Sequence, residues 1–314
     1  MRNLLRQPKK IIGLVILIVP LLLIPYFATN YIVYVVSLAM LYAILTGSYD
    51  LLLGYTGQLS FCQGAFYGIG AYTSALLALK AGFPVWISLL ISTAFTFGIG
   101  IGVGYPALKL RGAYFAVTTF FFSHFAYLVL LNERELTGGP LGLREIPSPE
   151  GFLGIDFSKI TASYYLILCF TVIIVGVLYF LVKSRVGKIF VAIREDEEFA
   201  EAIGINTSGY KVLSFSISAG LAGLAGSLFA HFFHLLHPST FAWMTSEMVV
   251  IMTLVGGAGT LFGPMLGAGI VTFVLELMRF APELRYVIWA GVLIMVLVYE
   301  PRGLIGIIGR LRRR

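Results

Sequence analysis

Long apolar stretches, separated by short polar or glycine-rich segments, follow one another along almost the whole chain. Stretches of about 18 or more apolar residues are long enough to cross a bilayer as α-helices. The pattern therefore predicts an all-α membrane protein with about ten transmembrane segments, some of them glycine-broken or re-entrant. The predicted segments lie at 11–28, 31–53, 58–80, 86–108, 112–131, 163–182, 212–233, 244–260, 262–280 and 285–299.

Composition supports the same class. Hydrophobic residues make up 59% of the 314 residues, charged residues only 12%, and the mean hydropathy is +0.93. Soluble domains carry about 25% charged residues. The basic N-terminus resembles a signal peptide, but the apolar run after it is long enough to span and lacks a convincing small-residue cleavage site. We expect an uncleaved first helix.

The net charge of +7 sits in short flanks rather than in a patch suited to nucleic acid. Basic residues within short flanks and loops favour the cytoplasmic side, so both termini are predicted to be cytoplasmic. With an even number of spans, loop 183–211 is then cytoplasmic and loop 132–162 external. Their five and three basic residues follow the expected bias. The flanking residues are Arg2, Arg6, Lys9, Lys10, Arg302, Arg310, Arg312, Arg313 and Arg314.

Loop 183–211 is the most polar part of the chain, with ten charged residues between two apolar stretches. Its segment from Arg194 to Ile203 predicts one short amphipathic helix, because an acidic first turn precedes Phe199, Ala202 and Ile203 on one side. Such a helix is either a surface that another protein binds or part of a solvated connecting loop. Spacing alone leaves both interpretations open.

Two glycine-rich segments, 54–70 and 256–269, lie in opposite halves of the chain. Glycine-interrupted segments in both halves of a transporter point to its pathway, whereas small residues at every fourth position indicate close helix packing. We favour packing for most of them. The predicted packing residues are Gly64, Gly68, Ser218, Ala222, Gly226, Gly259, Gly263 and Gly267.

Candidate chemistry is sparse. The phosphate-binding pattern GxxxxGK[ST] does not occur, and no acidic or histidine cluster suits catalysis, so we expect no enzyme and no ATPase site of this chain's own. His231, His234 and His237 are interpreted as anchors at a membrane boundary rather than metal ligands. The ionisable residues near membrane depth are Asp50, Glu247, Glu276 and Arg279, of which the last two can pair. No central carboxylate stands out for an ion-coupled carrier. The candidate pathway residues, each equally suited to helix packing, are Gln58, Ser60, Gln63, Thr118, Thr119 and Ser123.

Six motifs in order resemble the permease subunits of ABC importers for branched-chain amino acids. They are GYTGQLSFCQGAFYGIGAYTSALL at 54–77, LRGAYFAVTT at 110–119, TGGPLGL at 137–143, SRVGKIFVAIREDEEFAEAIGIN with YKVLSFSISAGLAGLAGSLFA at 184–230, SEMVVIMTLVGGAGTLFGPMLGA at 246–268 and EPRGLIG at 300–306. Cys62 stands where glycine is usual, and Gln63 where histidine is frequent. These two departures leave the family resemblance intact.

The resemblance implies a single permease domain over 1–314 in a prokaryotic cytoplasmic membrane. It also implies a second related permease, two cytoplasmic ATPases that use ATP, and an external solute-binding protein, with no cofactor bound by this chain. Glu198, Ala200 and Gly204 match the E-x-A-x-x-x-G spacing of the family's ATPase-coupling helix, with Phe199 in place of its first alanine. The predicted coupling residues are Arg194, Glu195, Asp196, Glu198, Ala200 and Gly204. Urea or short amides, or an ion-coupled carrier, are the alternative functions.

Overall fold

The computed structural model describes residues 19–151 and 155–278, together with Gly291 and Gly303. The predicted span at 285–299 apart from Gly291, Arg279 and both basic flanks lie outside these residues. Within them the chain is built almost entirely of α-helices. The longer helices are α1 (19–27), α2 (Asn30–Asp50), α3 (Gln63–Leu79), α4 (Val85–Ala107), α5 (Ala113–Asn132), α7 (Ile160–Lys183), α8 (Arg185–Glu195), α10 (Thr207–Phe233), α11 (Trp243–Gly256) and α12 (Gly263–Leu277).

Short elements connect these helices. The helices α6 (Arg134–Thr137) and α9 (Glu197–Ala202) have four and six residues. Strands β1 (Leu143–Arg144) and β2 (Leu235–Leu236) pair antiparallel, with Leu143 opposite Leu236. Leu51–Tyr55 continues α2 as a π-helical turn, and Gly139–Leu141 and Pro238–Phe241 form 3₁₀ turns.

Five of the described helices are long and apolar enough to cross a bilayer: Asn30–Tyr55, Val85–Ala107, Ala113–Asn132, Ile160–Lys183 and Thr207–Phe233. This confirms the all-α membrane class, while the total of ten spans stays a prediction. The helices α11 and α12 have 14 and 15 residues, fewer than the roughly 20 that a span needs.

The central helix is α10. In its most apolar window 72% of the residues are buried, against 22% in α7, which lies at the periphery. Along its length α10 packs mainly against α4 and α3, and α2 packs against α12, α7 and α10. Because α10 begins beside α8 and α9 and ends at β2, the bundle has two ends. We call them the α8–α9 face and the β1–β2 face.

The segment predicted at 58–80 is helical only from Gln63. Gly57 has φ +71°, and the Thr56 hydroxyl donates to the Leu51 and Leu52 carbonyls at 3.0 and 2.8 Å. These contacts end the α2 chain in a turn, because they satisfy carbonyls that a continuing helix would use. At the opposite face the chain turns back after α10, so that fully buried Phe241 packs its ring 5.2 Å from that of Tyr67.

Candidate functional site

The predicted helix from Arg194 to Ile203 is divided in two. Helix α8 ends at Glu195, Asp196 is extended with φ −158°, and α9 begins at Glu197. The Asp196 carboxylate accepts a hydrogen bond from the Phe199 N–H at 2.9 Å. Aspartate is a favoured N-cap because it satisfies an otherwise unpaired amide, so it starts a new helix here instead of continuing the old one.

The end of α9 is equally defined. The Gly204 N–H donates to the Glu201 carbonyl at 2.9 Å, and the Ile205 N–H donates to the Ala200 carbonyl at 3.1 Å. This pair of bonds requires a left-handed residue after the helix, and Gly204 has φ +87°. The six-residue helix therefore has a defined boundary at each end.

One side of α9 is attached to its own chain. Ala200 is 1% exposed, and the Lys211 ammonium at the start of α10 lies 2.6 Å from the Glu197 carboxylate. The Lys211 side chain is only 4% exposed, so the pair is shielded from solvent. The Thr207 hydroxyl donates to Glu201 at 2.5 Å. These contacts hold α9 against α10.

The other side of α9 faces outward. Phe199 is 64% exposed and Ile203 61% exposed, although both are large apolar residues. The Glu198 side chain is 86% exposed and lies 3.8 Å from Arg111. An exposed apolar pair ringed by charged residues is typical of a protein-binding surface.

Arg194 lies between the two glycine-rich segments. Its guanidinium donates to the Gly54 carbonyl and to Glu195. A Cβ at Gly57 would lie 3.0 Å from its Cγ, and a Cβ at Gly259 3.0 Å from Nη1. The first and second glycine-rich segments therefore meet around one side chain of the charged loop.

Asp50, the last residue of α2, also belongs to this cluster. Its Oδ1 accepts the Gly259 N–H at 2.8 Å, and the residue is 1% exposed. In the sequence Asp50 is an ionisable residue near membrane depth, but nothing there connects it with Arg194, because the two are far apart in the chain.

Four candidate pathway residues are buried inside the chain: Ser60, Gln63, Thr119 and Ser123. The Gln63 amide donates to Ser48 and Ser218 hydroxyls at 2.8 and 3.2 Å. The Thr119 hydroxyl accepts from the Phe61 N–H at 3.0 Å. These contacts link neighbouring helices.

The remaining two candidates are half-buried. The Thr118 hydroxyl donates to the Tyr114 carbonyl at 2.8 Å. Gln58 lines a cavity of about 420 Å³ on the α8–α9 face together with Arg111, Glu197 and Lys211. Gln58 is therefore the candidate that borders open space.

Most of the predicted packing residues lie at close backbone approaches. A Cβ on Gly226 of α10 would lie 1.9 Å from the Tyr67 carbonyl of α3, and one on Gly267 of α12 2.1 Å from the Met252 carbonyl of α11. Gly259 differs, since it lies in the turn between α11 and α12 with φ +77°. The other predicted packing residues, Gly64, Gly68, Ser218, Ala222 and Gly263, are buried.

Two histidines on the β1–β2 face, His231 and His234, bind backbone carbonyl groups. The His231 Nδ1 lies 2.7 Å from the Pro147 carbonyl, and its Nε2 lies 2.8 Å from the Ser74 hydroxyl. The His234 Nδ1 lies 2.7 Å from the Ile146 carbonyl. Within the described residues no group of three or more His, Cys, Asp or Glu side chains is placed to hold a metal. These rings attach the loop before α7 to the end of α10.

Two further contacts between helices were not predicted from the sequence. One is the Lys211–Glu197 ion pair. The other is the Gly64 N–H, which donates to the Ser246 hydroxyl at 2.8 Å and so joins the starts of α3 and α11. A lysine in the first turns of an apolar helix was a usable signal for the first contact, because a buried ammonium needs a partner. No sequence signal announced the second.

Known proteins resemble this chain over most of its length. Residues 31–297 match the family described as branched-chain amino acid transport system / permease component. The high-affinity branched-chain amino acid transport system permease protein LivM of Escherichia coli is 31% identical, over 90% of this chain and 71% of its own. LivH of the same organism is 29% identical, over 86% and 93%. BraD of Pseudomonas aeruginosa is 26% identical, over 84% and 91%.

No solved structure gives a significant match to the chain. The family match covers most of the chain, including α2 from its second residue and all helices from α3 to α12. The matched region also contains α9, the residues around Arg194 and the loops of the β1–β2 face. This all-α, multi-pass membrane protein belongs to the family of permease components of branched-chain amino acid transport systems.

Proposed function

We propose that this chain is the permease subunit of an ATP-driven importer of branched-chain amino acids, in which it forms half of the translocation pathway. It pairs with a second related permease, and α9 docks on one of two separate ATPases that use ATP. An external solute-binding protein delivers the substrate. The whole chain, 1–314, acts as one permease domain and contributes no ATPase site.

The observation that carries this proposal is the construction of α9. Its Ala200 side is anchored to α10, while Phe199 and Ile203 point away from the chain at 64% and 61% exposure. A helix fixed on one side and apolar on the other can bind a partner and pass a displacement to the bundle. Family membership favours this role over that of an ion-coupled carrier.

The substrate class rests on the relatives. Two permeases of the branched-chain amino acid system of one organism resemble this chain, at 31% and 29% identity. This likeness also supports a related, non-identical chain as the second permease. Uptake by the reconstituted complex with leucine, isoleucine, valine, urea and short amides tests the choice, and preference for urea or amides would contradict it.

Changing Phe199→Asp tests the docking surface. Replacing an exposed apolar contact by a carboxylate is expected to weaken ATPase association by about tenfold or more, the scale of a central interface residue. Leu141→Asp is the matched control, since Leu141 is 74% exposed on the β1–β2 face. Equal ATPase association of the two variants would remove α9 from the interface.

The protein lies in the inner membrane. The proposed topology places the α8–α9 face and both termini on the cytoplasmic side. One cysteine introduced at Leu141 or at exposed Ala202, in a Cys169→Ser background that keeps the buried Cys62, tests this orientation. A membrane-impermeant thiol reagent added to intact cells is expected to label position 141 only. Labelling of position 202 alone would show that the protein has the opposite orientation.

A further inference from the structure

The cluster around Arg194 joins three separate parts of the α8–α9 face. Arg194 at the end of α8 donates to the Gly54 carbonyl in the π-helical turn after α2. Asp50, one turn earlier, accepts the Gly259 N–H in the turn between α11 and α12. We call Asp50, Gly54, Arg194 and Gly259 the Arg194 joint.

The backbones of the Arg194 joint are closely packed. A Cβ at Gly54 would lie 2.0 Å from Asp50 Oδ1 and 2.2 Å from the Gly259 nitrogen. A Cβ at Gly259 would lie 3.1 Å from the Gly54 carbonyl oxygen. Because the backbones are in direct contact, a movement of Arg194 is passed to both turns.

The Asp50 carboxylate is incompletely paired. Oδ1 is occupied by Gly259, but Oδ2 is buried and no donor among the described residues reaches it. A buried carboxylate oxygen without a donor is costly. Arg194 meanwhile directs Nη2 to Glu195, whose side chain is 66% exposed. A guanidinium carries five N–H donors. It can therefore exchange hydrogen-bond partners while the Arg194 backbone stays in place.

We propose that Arg194 is a two-position coupling residue. In the arrangement described here its guanidinium binds the Gly54 carbonyl and Glu195. In a second state of the transport cycle it binds Asp50 Oδ2, and the exchange transmits the displacement of α9 to α2 and to the α11–α12 turn. The inference rests on the proposed function, because α9 must be displaced by the ATPase.

Energetics suits such an exchange. The bonds to Gly54 and to exposed Glu195 leave Asp50 Oδ2 unpaired, whereas a bond to Asp50 requires the guanidinium to give up the Gly54 carbonyl and the Glu195 carboxylate. Coulomb attraction between buried charges is largely offset by their desolvation. In the proposed exchange, ATPase binding shifts the equilibrium by its differential affinity for the two arrangements.

The test uses the complete complex with its ATPases and binding protein in proteoliposomes, and measures uptake per ATP hydrolysed. The variants are Asp50→Asn, Arg194→Gln, Arg194→Lys and the double variant Asp50→Asn/Arg194→Gln. Asparagine keeps an Oδ1 acceptor for Gly259 and removes the charge. Lys188→Gln is the control, since Lys188 is an exposed cation on the same helix.

Both Asp50→Asn and Arg194→Gln are expected to retain ATP hydrolysis and to lose uptake per ATP by about tenfold or more, the scale of a broken buried charge pair. The double variant should be no worse than the poorer single variant, because one contact is lost in each case. Arg194→Lys should restore part of the uptake. Lys188→Gln should resemble the parent.

Unchanged uptake per ATP in Asp50→Asn, or additive losses in the double variant, would overturn the proposal. Lower stability with normal uptake per ATP would assign the joint a structural role only. If Asp50→Asn fails to assemble, structures of the parent complex in two nucleotide states decide. Arg194 bound to Gly54 in both would contradict the exchange. A parent complex without ATP-dependent uptake would instead contradict the proposed function.

Discussion

The two faces of the bundle are attached to their own helices in different ways. On the β1–β2 face the buried ring of His231 connects α3, the loop before α7 and the end of α10. Glu150 accepts the Val85 N–H at 2.8 and 3.0 Å and so caps α4. On the α8–α9 face the six-residue α9 lies between two breaks, at Asp196 and Gly204, and is held largely by charged contacts.

Under the proposed function, this difference gives the two faces different roles. The loops of the β1–β2 face are fixed to several helices at once by hydrogen bonds to backbone groups, which suits a surface that keeps its shape while a partner docks. Helix α9 is a separate piece with an exposed apolar side and an ion pair to α10. Such a piece can move with an ATPase and act on the bundle through α8 and Arg194.

Among the substitutions that test this difference, Gly54→Ala on the α8–α9 face should have the most severe consequences. The added methyl would collide with Asp50 and with the Gly259 backbone. Overpacking of this kind costs about 1–3 kcal/mol and more where backbone is involved, so we expect a large loss of thermal stability and of uptake. Gly102→Ala in α4 is the control, since no atom of the described residues lies within 4 Å of the new Cβ. Equal stability of the two variants would contradict the close contact.

On the β1–β2 face, His231→Phe keeps the bulk and removes both hydrogen bonds. The buried Ser74 hydroxyl and the Pro147 carbonyl then lose a partner, which costs about 1–3 kcal/mol. Thermal unfolding of the purified protein should show this loss, while ATPase association stays at the parent level. His237→Phe is the control, because exposed His237 bonds, among the residues that the structure describes, within its own turn. A weakened ATPase association would show that the two faces are not independent.

A smaller effect is expected for Glu150→Ala. The change removes the cap of α4, and lost N-caps cost about 1 kcal/mol. Thermal unfolding measures the loss, with Glu135→Ala as the control on an exposed carboxylate of the same face. No difference between the variants would mean that the loop at Glu150 does not hold α4.

The helices were predictable where apolar runs are long and uninterrupted. The predicted segments at 86–108 and 112–131 agree closely with α4 and α5. The start of α3 was placed too early because hydropathy does not register that Thr56 bonds back to the preceding turn. The single helix predicted across Asp196 was wrong for a similar reason, since a capping carboxylate acts through local geometry rather than through periodicity.

The candidate site was predictable only where its signal is local. The charged loop and the E-x-A-x-x-x-G spacing located α9, but not the contact of Arg194 with Gly54 and Gly259. That contact depends on how three distant turns meet at one end of the bundle. For the same reason, sequence alone could not show that Ser60, Gln63, Thr119 and Ser123 lie buried among helices of this chain.

The most direct test of the central claim measures solute uptake by the purified complex in proteoliposomes while the source of energy is varied. The account predicts uptake of branched-chain amino acids that requires ATP, the ATPase subunits and the binding protein, and that persists after proton and sodium gradients are dissipated. The chain alone should show neither ATP hydrolysis nor uptake. Gradient-dependent uptake by this chain alone, without ATP, would contradict the account and establish an ion-coupled carrier.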